Sequence, residues 1–280
     1  MQVVESISDV RRIRRERTGS WGLVPTMGFL HAGHLALAER ARTENDHVGA
    51  SIFVNPTQFG PTEDLAAYPR DLPRDLALLE AAGVDLVWTP PADEVYPAGF
   101  QTYVTVEEVT KVLEGAARPT HFRGVLTVVA KLFNIFQPNR AYFGQKDAQQ
   151  VVVIQRMVAD LNFPLEIVVC PTVREADGLA LSSRNTYLTP EQRAAAPVLY
   201  RALYAARDTW LAGEHDGERL RQIMRAVLAA EPLARPDYVS AADPFTLAEL
   251  GDASRGVLLS MAVRIGRARL IDNTRLIPGR

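Results

Sequence analysis

Disulfide chemistry within the chain is excluded at once, because its 280 residues include one cysteine, Cys170. A lone thiol fits a reducing compartment. Charge of one sign is also missing. The formal net charge is −2, so the molecule as a whole has no footprint for nucleic acid, and an anion site must be built from a few local cations. Long hydrophobic runs are absent. The longest apolar stretch, Val125 to Phe136, is interrupted by Lys131 and Asn134 and is too short to cross a bilayer. The opening residues, Met1-Gln2-Val3-Val4-Glu5, lack the charged-then-apolar order of a secretory signal. No repeat and no low-complexity tract occurs. Neither Gly-x-Gly-x-x-Gly nor Gly-x-x-x-x-Gly-Lys-Ser/Thr is found, which argues against a dinucleotide fingerprint or a P-loop. Ser182 and Ser183 stand outside any Gly-x-Ser-x-Gly elbow. What remains is a chain with 47% hydrophobic residues, ordinary for a globular protein. It is expected to be cytoplasmic, without nucleic-acid or membrane partners.

Short apolar runs alternate with helical patterns through the first half. Trp21 to Thr26, Val48 to Val54, Val84 to Trp88, Arg140 to Phe143 and Leu165 to Val169 read as strands. His34 to Thr43, Asp71 to Ala82, Gly124 to Phe136 and Asp147 to Leu161 read as helices. Strand–helix–strand order implies a parallel sheet with crossover helices. After Pro171 the style changes. Two Ala- and Arg-rich helices, Pro190 to Leu211 and Asp216 to Ala230, precede strands at Pro236 to Ala241, Val257 to Ile265 and Arg269 to Ile271. The expected fold is α/β: a Rossmann-like doubly wound parallel sheet over residues 1–173, with a smaller C-terminal α+β domain over residues 174–280.

Five stretches carry candidate chemistry. In Pro25-Thr26-Met27-Gly28-Phe29-Leu30-His31-Ala32-Gly33-His34, a strand ends, glycines turn the chain and a helix begins. His31 and His34 then share a face of the first turn, and amide donors at a helix start favour phosphate. Gly33 lets a flat or bulky group approach the backbone. The pair reads equally as loop caps or as a metal pair, although zinc wants a third ligand. In Phe143-Gly144-Gln145-Lys146-Asp147, Lys146 suits phosphate and Asp147 suits ribose hydroxyls. Asp147 is also a plain helix cap. Leu181-Ser182-Ser183-Arg184 offers hydroxyls and a guanidinium for phosphate, or is an ordinary loop. Phe53-Val54-Asn55-Pro56-Thr57-Gln58-Phe59 follows a strand, so Gln58 sits where open sheets bind ligands. Arg118-Pro119-Thr120-His121-Phe122-Arg123-Gly124 adds cations and a histidine ahead of a helix.

Each stretch alone is a weak signal; their order is specific. His31-Ala32-Gly33-His34 resembles the His-x-Gly-His signature of a nucleotidyltransferase superfamily, and Leu181 to Arg184 resembles its Lys-Met-Ser-Lys-Ser counterpart. With Phe53 to Phe59, Tyr68-Pro69-Arg70, Pro119 to Gly124, Phe143 to Gln150 and Pro171 to Asn185, the chain resembles the pantothenate synthetase family, closely over residues 20–190. The resemblance implies an AMP-forming carbon–nitrogen ligase that joins pantoate to β-alanine with ATP and Mg2+, as a homodimer whose second domain closes over the site. It places ATP on Met27, Gly28, His31, Gly33, His34, Gly144, Gln145, Lys146, Asp147, Val173, Leu181, Ser182, Ser183 and Arg184. His34, assigned as general acid, His31, Lys146 and Arg184 become the catalytic set. Gln58 and Gln150 fall on pantoate, Gln58 also on β-alanine, and Asp75 on magnesium. This chain departs from the family pattern at Ala32, Thr57, Arg74, Gln145 and Leu181, and Arg74 bears on the metal most directly. Two other readings stand beside this one: a relative that adenylates a phosphate ester, and a catalytically silent nucleotide-binding module.

Overall fold

The computed structural model describes residues 1–60, 65–66 and 68–279. The chain runs β1 (Gln2–Val4), α1 (Ile7–Glu16), β2 (Trp21–Thr26), α2 (Ala32–Glu44), β3 (His47–Ile52), α3 (Leu72–Ala81), β4 (Leu86–Trp88), α4 (Ala92–Val95), α5 (Leu113–Ala117), α6 (His121–Phe136), β5 (Arg140–Gly144), α7 (Ala148–Asp160) and β6 (Glu166–Cys170). It continues with α8 (Pro190–Ala195), α9 (Val198–Leu211), α10 (Gly217–Ala229), β7 (Ala234–Ala242), β8 (Val257–Ile265) and β9 (Ala268–Leu276). Short 3₁₀ turns at Pro56–Gln58, Gln145–Asp147 and Ser183–Tyr187 carry much of the candidate chemistry.

The first six strands form one parallel sheet in the order β1-β4-β3-β2-β5-β6. Parallel pairs need crossover helices, which bury the strands on both faces, and this is why β2 and β3 read as nearly unbroken apolar runs. From β2 the order proceeds one way through β3, β4 and β1, and the other way through β5 and β6. The fold is therefore a doubly wound α/β sheet, and its switch point lies between β2 and β5, whose carboxyl ends mark the ligand side of such folds. Leu37, Ala38 and Ala41 of α2 pack with Leu79 of α3 against Val24, Val48 and Ala50. Helix α6 is buried over most of its surface from Phe122 to Phe136, as its hydrophobicity, interrupted only at a few polar positions, predicts. It stops where Gln137 takes φ 46° ahead of Pro138.

Beyond Pro171, β7, β8 and β9 make a three-stranded antiparallel sheet. Leu199 and Leu203 of α9 and Leu220 and Met224 of α10 join Leu259, Met261 and Val263 of β8 in a second core. Each fully buried leucine or valine there contributes about 1.5–3 kcal/mol. Two compact units result: Met1–Gly144 with Gln149–Pro171, and Thr172–Arg280 with the four residues Gln145–Ala148. Among the described residues no helix is long and apolar enough to cross a membrane.

Several elements differ from the sequence expectation. The single helix expected from Pro190 to Leu211 is two, because Pro197 separates α8 from α9; its ring removes a donor and blocks the preceding turn. The strand expected at Arg269 to Ile271 extends to Leu276, since its polar residues Asp272 and Asn273 are buried and satisfied rather than exposed. β1, α1, α4 and α5 have no counterpart in the sequence reading. β1 is a three-residue edge strand paired with β4.

Candidate active site

Strand β2 delivers the histidine stretch. Thr26 Oγ1 donates to Ser51 O (2.7 Å) and accepts from Gly28 N (3.2 Å), ending the strand. Gly28 (φ 85°) and Phe29 (φ 50°) then turn left-handed, and the amides of Phe29 and Leu30 donate to the two oxygens of Asp75 at 2.6 and 2.8 Å. Helix α2 begins with a reciprocal cap. Gly33 N donates to His31 Nδ1 (3.1 Å), and His31 N donates to His34 Nδ1 (3.3 Å). The two rings lie with centroids 4.1 Å apart. Because each Nδ1 accepts, the neutral form of each ring carries its proton on Nε2.

Both expectations about this stretch need amending. The backbone donors of Phe29, Leu30, His31 and Gly33 are taken by protein groups, so these four amides are not offered to a phosphate. The bulky group that Gly33 admits is the imidazole of His31, which a Cβ at Gly33 would meet at 2.9 Å.

Gln58 follows β3 in a 3₁₀ turn capped by Asn55. Asn55 is 1% exposed. Its Nδ2 donates to Gln58 Oε1 and to Gly124 O, both at 3.1 Å. Its Oδ1 accepts from Thr57 Oγ1 (2.9 Å) and Tyr96 OH (2.8 Å). Gln58 Nε2 donates to Met27 Sδ (3.0 Å), joining this turn to the histidine stretch. The stretch at Arg118 serves the same turn: His121 Nδ1 lies 2.9 Å from Gln58 O and Arg118 Nη2 lies 3.4 Å from it. Burial raises the pKa of the Tyr96 hydroxyl, outweighing the hydrogen bonds with Thr57 and Asn55, which lower it. Gln150 sits half-buried on α7. Its neighbour Gln149 is buried, accepting from Glu114 N (2.8 Å) and donating to Val109 O and Val112 O, both at 2.8 Å. Sequence reasoning named the glutamines but missed Asn55 as the organiser of Gln58. Asparagine just before proline at a strand end, a strong capping signal, was the clue.

In the second unit, Lys146 lies on the Gln145–Asp147 turn, its side chain 17% exposed and its Nζ 3.5 Å from Asp147 Oδ1. The turn is clasped by Asn273 of β9, which is 4% exposed. Asn273 Nδ2 donates to Gln145 O (2.9 Å) and Lys146 O (2.8 Å), while its Oδ1 accepts from Gln145 Nε2 (2.9 Å). The neighbouring Asp272 receives Arg174 in two bonds of 2.7 and 2.9 Å. Burial works against the Arg174 charge, yet Asp272 more than offsets it, and the pKa of Arg174 lies above the ordinary arginine value. Leu181 N donates to Val173 O (3.0 Å), pairing two expected ATP contacts through backbone. Ser182 accepts from Arg184 N (3.3 Å) as cap of the Ser183–Tyr187 turn, with Arg184 half-buried. At Gly144, which ends β5, an added Cβ would meet no atom of the described residues within 4 Å.

The residues near Asp75 do not fit magnesium. That ion prefers near-octahedral oxygen ligands, with carboxylates and waters. Asp75 is 1% exposed, both its oxygens are engaged by amides, and Arg74 Nη1 stands 3.9 Å from Oδ1. Among the described residues no group of three or more His, Cys, Asp or Glu side chains is placed to hold a metal.

Comparison with known proteins agrees with this geometry. The family model for pantoate-beta-alanine ligase matches residues 2–275. The pantothenate synthetase of Chloroflexus aggregans is 66% identical over 278 residues, covering 99% of this chain and 100% of the relative. That of Herpetosiphon aurantiacus is 65% identical, covering 98% and 99%. Among solved structures, pantothenate synthetase from Thermus thermophilus superposes with a TM-score of 0.95 at 53% identity, covering 99% of this chain and all of the other. The pantoate-beta-alanine ligase of Francisella tularensis, crystallised with beta-gamma ATP and beta-alanine, gives 0.81 at 36% identity, covering 98% and 97%. A match over essentially the whole length, in sequence and in fold, means that this chain belongs to the pantoate–β-alanine ligase family.

Proposed function

We propose that this chain condenses pantoate with β-alanine in the cytoplasm, using ATP and releasing AMP and pyrophosphate through a pantoyl adenylate. The observation that carries the reading is the neutral, oriented carboxamide of Gln58 beside Met27, one turn from the paired histidines. A site for a phosphate ester would need a cation cluster at the Gln58 side chain; Arg118 and His121 meet this turn at the Gln58 backbone carbonyl, while the carboxamide itself bonds Asn55 and Met27. That favours a small hydroxy acid, with Gln150 as a second contact and Gln58 also serving β-alanine. The Francisella ligase complex supports ATP and β-alanine as ligands.

A pantoate carboxylate oxygen attacks the α-phosphorus and the bond to pyrophosphate breaks. Both reactants are anions, so the site must neutralise charge and hold the attack in line. Lys146 and Arg184 supply charge. The Nε2–H groups of His31 and His34 donate to phosphate oxygens, with His34 the general acid toward the departing oxygen. Met27, Gly28, Gly33 and Gly144 shape the nucleotide's surroundings. Gln145, Asp147, Val173, Leu181, Ser182 and Ser183 complete its contacts, Asp147 on ribose. The β-alanine amine then attacks the acyl carbon, and AMP leaves as the amide forms. Magnesium would accompany the ATP phosphates and neutralise their charge, without Asp75, whose two oxygens are engaged by amides.

With pantoate and magnesium present and β-alanine withheld, labelled pyrophosphate should exchange into ATP. An enzyme that makes pantothenate from all three substrates yet shows no exchange would rule out the stepwise scheme. The family resemblance further supports a homodimer formed through the first unit. Light scattering at micromolar concentration should report about 62 kDa, twice the 30.9 kDa chain, and a monomer mass would refute it.

A further inference from the structure

Three features of one turn bear on Asp75. Gly28 and Phe29 are consecutive left-handed residues, at φ 85° and 50°, and such a conformation points successive amides into a concavity that binds an anion. Here the anion belongs to the protein: Asp75, 46 residues further on, takes Phe29 N at 2.6 Å and Leu30 N at 2.8 Å. The fit is close, for a Cβ on Gly28 would stand 3.0 Å from Asp75 Oδ2 and 3.0 Å from Ile52 Cγ2. Phenylalanine at positive φ is uncommon and strained, and such strain persists only when the surroundings enforce it. The next residue but one is His31, whose amide caps His34.

We propose that Asp75 is a positioning residue for the ligase reaction: its buried carboxylate fills the Phe29–Leu30 amide nest and so sets the turn from which His31 and His34 present Nε2–H, and it does not ligate magnesium. The proposal rests on the functional reading above for the role of the histidines. A magnesium ligand must exchange waters and reach phosphate; this carboxylate is enclosed, doubly occupied and faced by Arg74. Removing the negative charge leaves the two amides facing a neutral group, and Phe29 loses what holds it left-handed. The histidine cap then loosens, and transition-state contacts suffer more than ground-state ATP binding.

The test compares the full-length parent with Asp75→Asn. Pyrophosphate exchange gives kcat, the KM for ATP and the Mg2+ concentration for half-maximal rate. Mn2+ binding without ATP is followed by electron paramagnetic resonance, and imidazole 15N spectra report the histidine tautomers. The expected result is a kcat lower by about thirtyfold to a hundredfold, in the range seen when positioning is lost by about an ångström. The KM for ATP and the half-maximal Mg2+ should stay within about threefold. The ATP-free parent should bind no Mn2+ at about 100 micromolar, roughly the level a dedicated carboxylate site would hold, and the Nε2–H signature of His31 and His34 should be lost in the variant. A half-maximal Mg2+ raised about tenfold or more, or Mn2+ held by the parent and lost by Asp75→Asn, would overturn the proposal. So would near-parent kcat with unchanged histidine spectra. If Asp75→Asn does not fold, the same readings are taken on Asp75→Asn/Phe29→Gly, whose glycine tolerates the positive φ, with the same outcomes for and against. A parent without exchange would refute the ligase reading, whereas the Mn2+ and 15N measurements need no turnover and still decide the role of Asp75.

Discussion

Replacing Lys146 by alanine is expected to slow adenylate formation by about a hundredfold or more, the effect of removing one preorganised charge-assisted contact, on the order of 3 kcal/mol. Little stability should go with it. The side chain is 17% exposed and its ion pair to Asp147, at 3.5 Å, is long; partly exposed pairs of this kind contribute about 0–1 kcal/mol. The turn itself is held by its backbone carbonyls, which Asn273 grips and which the substitution leaves in place. Asn273→Ala should show the complementary pattern. Two carbonyls and the Gln145 amide lose their partner, each costing about 1–3 kcal/mol where no water replaces it, so melting temperature and rate fall together. Single-turnover adenylate formation and thermal unfolding on the same preparations separate the cases. A Lys146→Ala rate within a fewfold of the parent would show that the lysine is a bystander. A collapsed melting temperature in that variant would make it structural.

A second large effect is expected at Gly124, in the first turn of α6. A Cβ there would stand 2.3 Å from Thr57 O, 2.5 Å from Thr57 C and 2.6 Å from Gln58 N. These are backbone atoms, so no side chain can swing aside. Either α6 or the Pro56–Gln58 turn must shift, at a cost typical of overpacking, about 1–3 kcal/mol. The turn is the weaker element, and the Asn55 bond to Gly124 O shifts with it. Gln58 is carried out of register, and since an ångström of misplacement can reduce rate by about a hundredfold, Gly124→Ala should lose most pantoate-dependent exchange. The KM for pantoate should rise well beyond that for ATP. Unchanged pantoate dependence in a folded Gly124→Ala protein would mean that the 3₁₀ turn does not position Gln58 for the acid.

The two central strands were legible because they are short apolar runs ended by glycine or proline, and both candidate loops leave their carboxyl ends. The histidine pair and Lys146 could be placed from neighbours in sequence alone. What could not be read depends on partners far along the chain. Asp75 looks like any acid in the first turn of a helix until it meets amides 45 and 46 residues earlier. Asn273 lies in a polar stretch that suggests a strand end, and only its bonds to Gln145 and Lys146, 128 and 127 residues away, explain its burial. Gln145, one of the departures from the family pattern, has a local reason in the same place, for its Nε2 donates to Asn273 Oδ1. The break between α8 and α9 was present in the sequence as Pro197 and was outweighed by the Ala-rich periodicity around it.

The second unit is discontinuous, owning Gln145–Ala148 as well as everything from Thr172 onward, and this constrains how the gene can be recombined. A chimera joining residues 1–171 to a relative's C-terminal half is spliced at one peptide bond, yet it must also match at a second seam, where residue 145 meets the last strand. Gln145 offers Asn273 a donor; a glutamate in its place would offer only acceptors and call for the opposite amide orientation there. Exchanges that respect the visible linker should therefore still fail in ATP chemistry unless the four residues 145–148 travel with the C-terminal half. For the same reason a fragment ending at Pro171 keeps Lys146 but loses the amide that clasps its turn, so inheritance of that turn's geometry follows contact rather than sequence order.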